Sequence, residues 1–291
     1  MATNSQLETI IKSIGKLPAF PEIAMRVLKL ANDPESSVDD IVNTVQLDQA
    51  LTSNCLRLCN SSYFGLKKEV SSLQHAVVYL GPGNIVKIVL ADCGGQVGFN
   101  DPQRGYGLHP GQLWKHSIAT AIISQLLTQK IGKENSHELF TAALLHDIGK
   151  LVIDSFIADN LDAMFSLMMD GGLGVVEAEK EFFGIDHAEV GSLVAKLWNF
   201  PKPLIGAIRS HHQDISEIKN NELNTLTALN NILFYAAEIY MSGVYDKGLI
   251  CRIDQRFLDC FDLTQEDIIS IIKEYPVEMK KAEEFLQIPR A

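Results

Sequence analysis

Apolar residues recur along this chain at intervals of three and four, while alternating, strand-like stretches are scarce. That pattern predicts an all-α protein. Ser5 to Ile14 reads as a short first helix, broken by Leu17-Pro-Ala-Phe-Pro21, where two prolines restrict the backbone. Pro21 opens a second helix with Ile23, Val27 and Leu30 on one face. Ser36-Ser37-Val38-Asp39-Asp40 carries the hydroxyl and acidic residues that cap and charge a helix start. Another helix is expected from about Gln49 to Asn60, and Leu80-Gly-Pro-Gly83 turns between Leu73–Tyr79 and a helix beginning near Asn84.

The stretch from Gly94 to Gly111 is glycine-rich, contains Pro102 and Pro110, and shows no periodicity, so an internal boundary is expected there. Beyond it, Ile118, Ile122 and Leu126 form one stripe and Ala119, Ile123 and Leu127 the next, which predicts a largely buried helix. Further helices are expected from Glu138, Asn160, Gly174, Ala188, Pro203 and Leu226, punctuated by Gly171-Gly172, Gly184 and Pro201. Thr264 to Leu286 closes the chain, with Thr264-Gln-Glu-Asp267 suited to a capping box. The expected division is an amino-terminal helical subdomain (1–95), a helical bundle (96–215) and carboxy-terminal helices packed on that bundle (216–291).

With 46% apolar and 21% charged residues, the 291-residue chain has a globular composition. Its formal charge of −11 disfavours phosphate backbones and anionic membranes unless a basic patch is segregated. Lys67-Lys68 and Lys280-Lys281 are isolated pairs that read as solvated faces, so neither bulk nucleic acid nor a membrane is an expected partner. No run approaches the roughly 20 apolar residues that span a bilayer, and Met1-Ala-Thr-Asn-Ser-Gln-Leu-Glu has no secretory character. Five cysteines, an odd number, suit reduced thiols in a cytoplasm. Cys55 and Cys59, one helical turn apart, read as buried thiols rather than soft-metal ligands, and Met168-Met169 as core packing rather than an adaptable binding surface.

Chemistry enters at Thr141-Ala-Ala-Leu-Leu-His-Asp-Ile-Gly-Lys150. His146 shares the apolar face of Leu139, Ala142 and Ala143, and Gly149 is expected to end that helix in a left-handed conformation. An imidazole and a carboxylate are thereby delivered to a helix end inside the domain, where burying both is costly unless they pair or bind a cation. His116, His187 and His211-His212 also fall at helix ends or on buried faces, making five of the eight histidines. Imidazole and carboxylate together suit Fe, Mn, Zn or Ni. Two such ions bridged by Asp147 would acidify a water for phosphoester hydrolysis, and Lys150 would then steady a phosphate oxygen. The alternative is a polar core in which histidines and aspartate satisfy one another. His75 is expected to pack, His109 to lie in the irregular segment and His137 to sit on the surface at a helix start. Asn60-Ser-Ser-Tyr-Phe-Gly65 reads either as a structural turn or as a recognition loop.

His116, His146-Asp147, His187 and His211-His212 resemble the ordered ligands of the HD superfamily of metal-dependent phosphohydrolases, and their spread is similar to the HD-GYP cyclic-dinucleotide phosphodiesterases. Two departures stand out. The resemblance places the superfamily's last metal-binding aspartate in Phe234-Tyr-Ala-Ala-Glu238, where Ala237 occupies the position. Gln213-Asp-Ile-Ser follows His212 with no Gly-Tyr-Pro, so cyclic-dinucleotide binding is not supported.

The chain more closely resembles the HDOD domain, a regulatory offshoot of that superfamily. The resemblance is carried by Leu17-Pro-Ala-Phe-Pro21, Asp48-Gln-Ala-Leu51, Leu56-Arg-Leu-Cys-Asn60-Ser-Ser-Tyr-Phe-Gly65, Ser72-Leu-Gln-His-Ala76, Leu80-Gly81, His187-Ala-Glu-Val-Gly191 and Trp198-Asn-Phe-Pro201. Gln49 stands where a proline is usual. The resemblance implies an HD-like helical bundle with an amino-terminal helical subdomain. It further implies a bacterial signalling module that works through protein contacts, with signalling proteins as partners and typically no catalysis. A metal-dependent phosphohydrolase is the alternative, with metal at His116, His146, Asp147, His187, His211 and His212 and a catalytic role for Lys150.

Overall fold

A computed structural model describes residues 4–61, 64–66, 69–132, 137–218, 221–241 and 253–286. Ser62, Tyr63, Lys67, Lys68 and Cys251 lie outside the described residues. The described chain is helical, and its one β pairing is an isolated bridge between Gln103 and Leu108. No single described helix is long and apolar enough to cross a membrane.

The helices are α1 (Asn4–Ile14), α2 (Glu22–Ala31), α3 (Val38–Gln46), α4 (Gln49–Cys59), α5 (Leu73–Leu80), α6 (Pro82–Gly94), α7 (Gln112–Lys130) and α8 (His137–Leu145). They continue as α9 (Lys150–Ala158), α10 (Leu161–Met169), α11 (Val175–Phe183), α12 (His187–Leu197), α13 (Lys202–Ser210), α14 (Glu222–Met241), α15 (Gln255–Asp259) and α16 (Gln265–Leu286). Local chemistry sets many of these limits. Pro21 is the N-cap of α2, Ser37 and Asp40 form a reciprocal capping box on α3, and Thr264 and Asp267 do the same before α16.

The chain divides into two compact units that interleave along the sequence. One comprises Met1–Ala19, Gly95–Ser117 and Leu145–Ala228; the other comprises Phe20–Gly94, Ile118–Leu144 and Leu229–Ala291. Three of the five boundaries fall inside α7, α8 and α14, so the units do not coincide with consecutive blocks of sequence.

In the second unit, α2, α4 and α5 pack on α6, which is buried at Ile85, Val86, Ile88, Val89, Leu90 and Ala91. Asn60 closes the end of α4 as a turn: its side chain donates to Val70 O at 2.8 Å and accepts from Val70 N at 2.7 Å. Gly65 follows at φ +57°, which a glycine adopts without strain. This geometry supports the structural-turn reading of that string. Cys55 and Cys59 are buried, as expected, and desolvation raises both thiols, Cys59 to about 11. His75 is exposed, not packed, on the solvent face of α5.

In the first unit, α12 packs against α13, α9 and α1, while α10 packs against α11 and α9. Met168 and Met169 are on the surface, contrary to the core reading. Together with Leu161 and Phe165 they form an exposed apolar row on α10, with Phe165 at 66% and Met169 at 68% exposure. Met164 is the residue of α10 that turns inward.

Lys87 is a polar exception in α6, only 7% exposed. Burial lowers its amine from 10.5 to about 8. The unfolded chain therefore binds this proton more tightly. Its destabilising contribution is full below pH 8 and fades as pH rises towards 10.5. We expect Lys87→Met to stabilise the protein at pH 7 by on the order of 2 kcal/mol. Chemical denaturation at pH 7 and pH 10 should show the gain shrinking at the higher pH; an equal or larger gain there would contradict the assignment.

Candidate metal centre

Five elements of the first unit deliver side chains to one point. His116 comes from the first turns of α7; His146 and Asp147 follow the end of α8. Lys150 opens α9, His187 opens α12, and His211 caps the end of α13 with His212 beside it. His146 and Asp147 are each 1% exposed, and His187 is fully buried.

Asp147 sits in the middle with its two oxygens facing different partners. Oδ2 lies 3.0 Å from His116 Nε2, 3.4 Å from His146 Nε2 and 2.6 Å from Lys150 Nζ. Oδ1 lies 3.3 Å from His187 Nε2 and 3.6 Å from His211 Nε2. His116 and His146 meet through their Nε2 atoms at 3.0 Å, as do His187 and His212. All six predicted histidine and aspartate positions, with Lys150, are thus brought together.

A glycine makes this convergence possible. Gly149 is right-handed at φ −66°, not left-handed as its place after a helix suggested. Its role is close approach: a Cβ there would fall 1.9 Å from His187 O and 2.5 Å from Gly191 N. The backbone that carries His146 and Asp147 therefore rests directly on the start of α12. Asp186 caps that start reciprocally with Glu189, which sets the direction in which His187 leaves the helix.

Two further residues, Glu179 and Tyr106, complete the surroundings. Glu179, fully buried in α11, accepts from His187 N at 2.8 Å and His187 Nδ1 at 2.7 Å, and from the Tyr106 hydroxyl at 2.6 Å. The Tyr106 turn is held by Asp154, whose Oδ1 accepts from Gly105 N at 2.8 Å and Tyr106 N at 3.4 Å. The Tyr106 ring in turn faces Lys150 Nζ, 5.3 Å from its centroid. Neither Glu179 nor Tyr106 was anticipated from the sequence. Glu179 left one trace, a carboxylate four residues from both Val175 and Phe183 on an apolar helix face.

The electrostatics separate the histidines. Burial works against ionised Asp147, but His146, Lys150, His116 and His187 outweigh it and hold the carboxyl well below its usual range. Burial also opposes a charged His187, yet the Asp147 and Glu179 carboxylates beside it raise it to about 9. Burial lowers His211, against the pull of Asp147, and lowers His212, reinforced by His211 and His187. His211 Nδ1 donates to Ile208 O at 2.7 Å, so its neutral ring directs an Nε2 lone pair toward Asp147 Oδ1.

Those features fit a cation. Asp147 Oδ1 is buried, and the groups it faces, His187 Nε2 at 3.3 Å and His211 Nε2 at 3.6 Å, lie farther off than in an ordinary hydrogen bond. Two ligand bonds of roughly 2.1 Å at a right angle place their donor atoms about 3.0 Å apart, the spacing of both facing histidine pairs. Two groups share Asp147: His116 and His146 on one side, and His187, His211 and His212 on the other. Imidazole with carboxylate is a donor set for transition metals.

The all-α HD-like bundle and the histidines gathered about a buried His-Asp pair define the class of protein. The chain belongs to the HDOD domain family, which it matches over residues 17–214. A protein of Treponema pallidum (strain Nichols) is 25% identical over 212 residues, covering 72% of this chain; the chain spans 40% of that relative's length. An HDOD domain protein of Geobacter sulfurreducens superposes with a TM-score of 0.71 at 24% identity, over 97% of this chain and 99% of that one. A Shewanella amazonensis SB2B protein, which carries the provisional name of a phosphohydrolase, has a TM-score of 0.71 at 23% identity, over 94% of this chain and 97% of that one. At these identities the two structures share the fold.

Gly149→Ala should cost roughly 2–4 kcal/mol, because the added methyl meets backbone that cannot withdraw without moving α12. A thermal melt indistinguishable from the parent would show that the helices can separate there freely.

Proposed function

We propose that this chain is a signal-transduction module of the HDOD type, acting through protein contacts and retaining a two-cation His/Asp centre. The division of the Asp147 carboxylate carries the reading, with one oxygen facing His116 and His146 and the other facing His187 and His211. The ligands on this reading are His116, His146, Asp147, His187, His211 and His212, holding Fe, Mn, Zn or Ni. Glu179 fixes the His187 ring by accepting a hydrogen bond from Nδ1, which leaves Nε2 for a cation.

Regulation is favoured over catalysis by the stretch around Ala237. Alanine stands where the superfamily resemblance expects the last metal-binding aspartate, and the neighbouring Glu238 accepts from the Tyr275 hydroxyl at 2.8 Å. Contacts are favoured by the exposed row of Leu161, Phe165, Met168 and Met169 on α10, a surface that a partner would cover. Exposed Asp159, Asp162 and Asp170 flank it, so the partner that fits is a signalling protein with basic residues around an apolar face. The module would work in a bacterial cytoplasm.

A phosphohydrolase is the second reading, favoured by the Lys150 ammonium within the centre. Cations bound there would acidify a water and draw charge from a phosphate. Lys150 would exchange its bond to Asp147 for a phosphate oxygen, and Tyr106 would limit where its ammonium can go.

Elemental analysis of the purified protein is expected to find about two transition-metal ions per chain, lost in Asp147→Ala, with no enzymatic turnover of a phosphoester panel that includes cyclic dinucleotides. Turnover abolished by Asp147→Ala would establish the second reading, and absence of metal would remove both. Glu179→Ala should weaken metal retention about ten- to a hundredfold in a chelator competition. Unchanged retention would show that His187 does not need its carboxylate partner.

A further inference from the structure

Lys150 makes a shorter contact with Asp147 than any of the histidines does, its Nζ lying 2.6 Å from Oδ2. That oxygen is also the one that faces His116 Nε2 at 3.0 Å and His146 Nε2 at 3.4 Å. A cation held by these two rings and Oδ2 therefore meets a positive charge already bonded to the oxygen it needs. The ammonium is tethered close by. Lys150 is three residues from Asp147, and its backbone N donates to Asp147 O at 2.9 Å as α9 begins. A second resting place for the ammonium is the face of the Tyr106 ring, whose centroid is 5.3 Å from Nζ. That ring is fixed by its hydroxyl on Glu179 and by Asp154 on the backbone of its loop. Gly105 seats the same loop directly on α9, since a Cβ there would fall 2.3 Å from Asp154 O.

We propose that Lys150 is a tethered counter-ion that competes with cations for Asp147, so that a cation entering beside His116 and His146 displaces the ammonium toward the Tyr106 ring. The inference rests on the two-cation reading above and adds to it how occupancy is controlled. A carboxylate at 1% exposure needs a positive partner whether or not a cation is present. The ammonium meets that need in the cation-free chain. It becomes a surplus charge once a divalent ion arrives, because like charges that share one oxygen in a dry interior repel strongly. Removing the ammonium therefore acts in opposite directions on the two states: the cation-free chain loses a counter-charge, and the loaded chain loses a repulsion. The exchange requires no phosphate, which separates it from a substrate contact. Occupancy of the centre is thereby converted into the position of one charged side chain against a fixed ring.

The test is titration of the metal-free full chain with Zn²⁺ against a competing chelator, with Asp147→Ala giving the background from sites elsewhere. Lys150→Met and Lys150→Gln, which remove the charge, should each hold Zn²⁺ about tenfold or more tightly than the parent. Without Zn²⁺ both variants should melt below the parent, because Asp147 has lost its counter-charge. Zn²⁺ should then raise their melting temperatures by more than it raises the parent's. A lysine that only packs against its neighbours would lower stability on removal and leave retention equal or weaker. Equal or weaker retention in the variants, beside a parent that holds Asp147-dependent Zn²⁺, would overturn this inference and leave the two-cation reading standing. No Asp147-dependent Zn²⁺ in parent or variants would defeat that reading, and this inference with it.

Discussion

A single buried carboxylate, Asp147, constrains the unit around it. At 1% exposure it has no water to solvate its charge, so the surrounding chain must supply the positive side of every contact. Lys150 does so directly, and four of the five clustered histidines bring an Nε2 within 3.6 Å of the carboxylate, from residues before, between and after the intervening helices. Each of these helices carries its own apolar face, and each also ends or begins where an imidazole can reach the same point. The packing of α12 on α9 and α13 is therefore inseparable from the cluster, because Gly149 and Gly191 give the backbones room to meet beside Asp147 and His187.

The histidines are held unequally. His187 is tied at one nitrogen to Glu179 and at the other to the Asp147 side, whereas burial keeps His211 and His212 neutral. A neutral ring such as His211, whose lone pair points at a carboxylate oxygen, is a poor hydrogen-bonding partner and a good ligand. That contrast favours a cation centre over an inherited polar core. Belonging to the HDOD family, with Ala237 where the resemblance expects a final aspartate, then favours regulation as the use of the centre.

Much of this was legible in the sequence because its signals are local. Ser37 and Thr264 set helix starts through side-chain bonds within a few residues and Pro21 through its restricted backbone, and all three stand at helix starts in the structure. His116, His146, Asp147, His187, His211 and His212 could be singled out because polar groups at apolar positions are costly, and costly groups have a purpose. The failures share a cause, in that the deciding neighbour is remote. Gly149 looked like a left-handed stop but is a contact point for α12, a residue some forty positions on. Glu179 meets His187 from α11, a different helix, and Tyr106 comes from an irregular loop that no periodicity describes and that Asp154 holds. Met168 and Met169 sit on a helix whose inward face is carried by Met164, a choice made by α9 and α11 rather than by the apolar run itself.

Anomalous X-ray diffraction from crystals of the protein as purified tests the centre most directly. Two peaks are expected, one between Asp147 Oδ2 and the His116–His146 pair and one between Oδ1 and His187, His211 and His212. A map with no anomalous density, with these rings bonded to one another and to ordered water, would contradict the account.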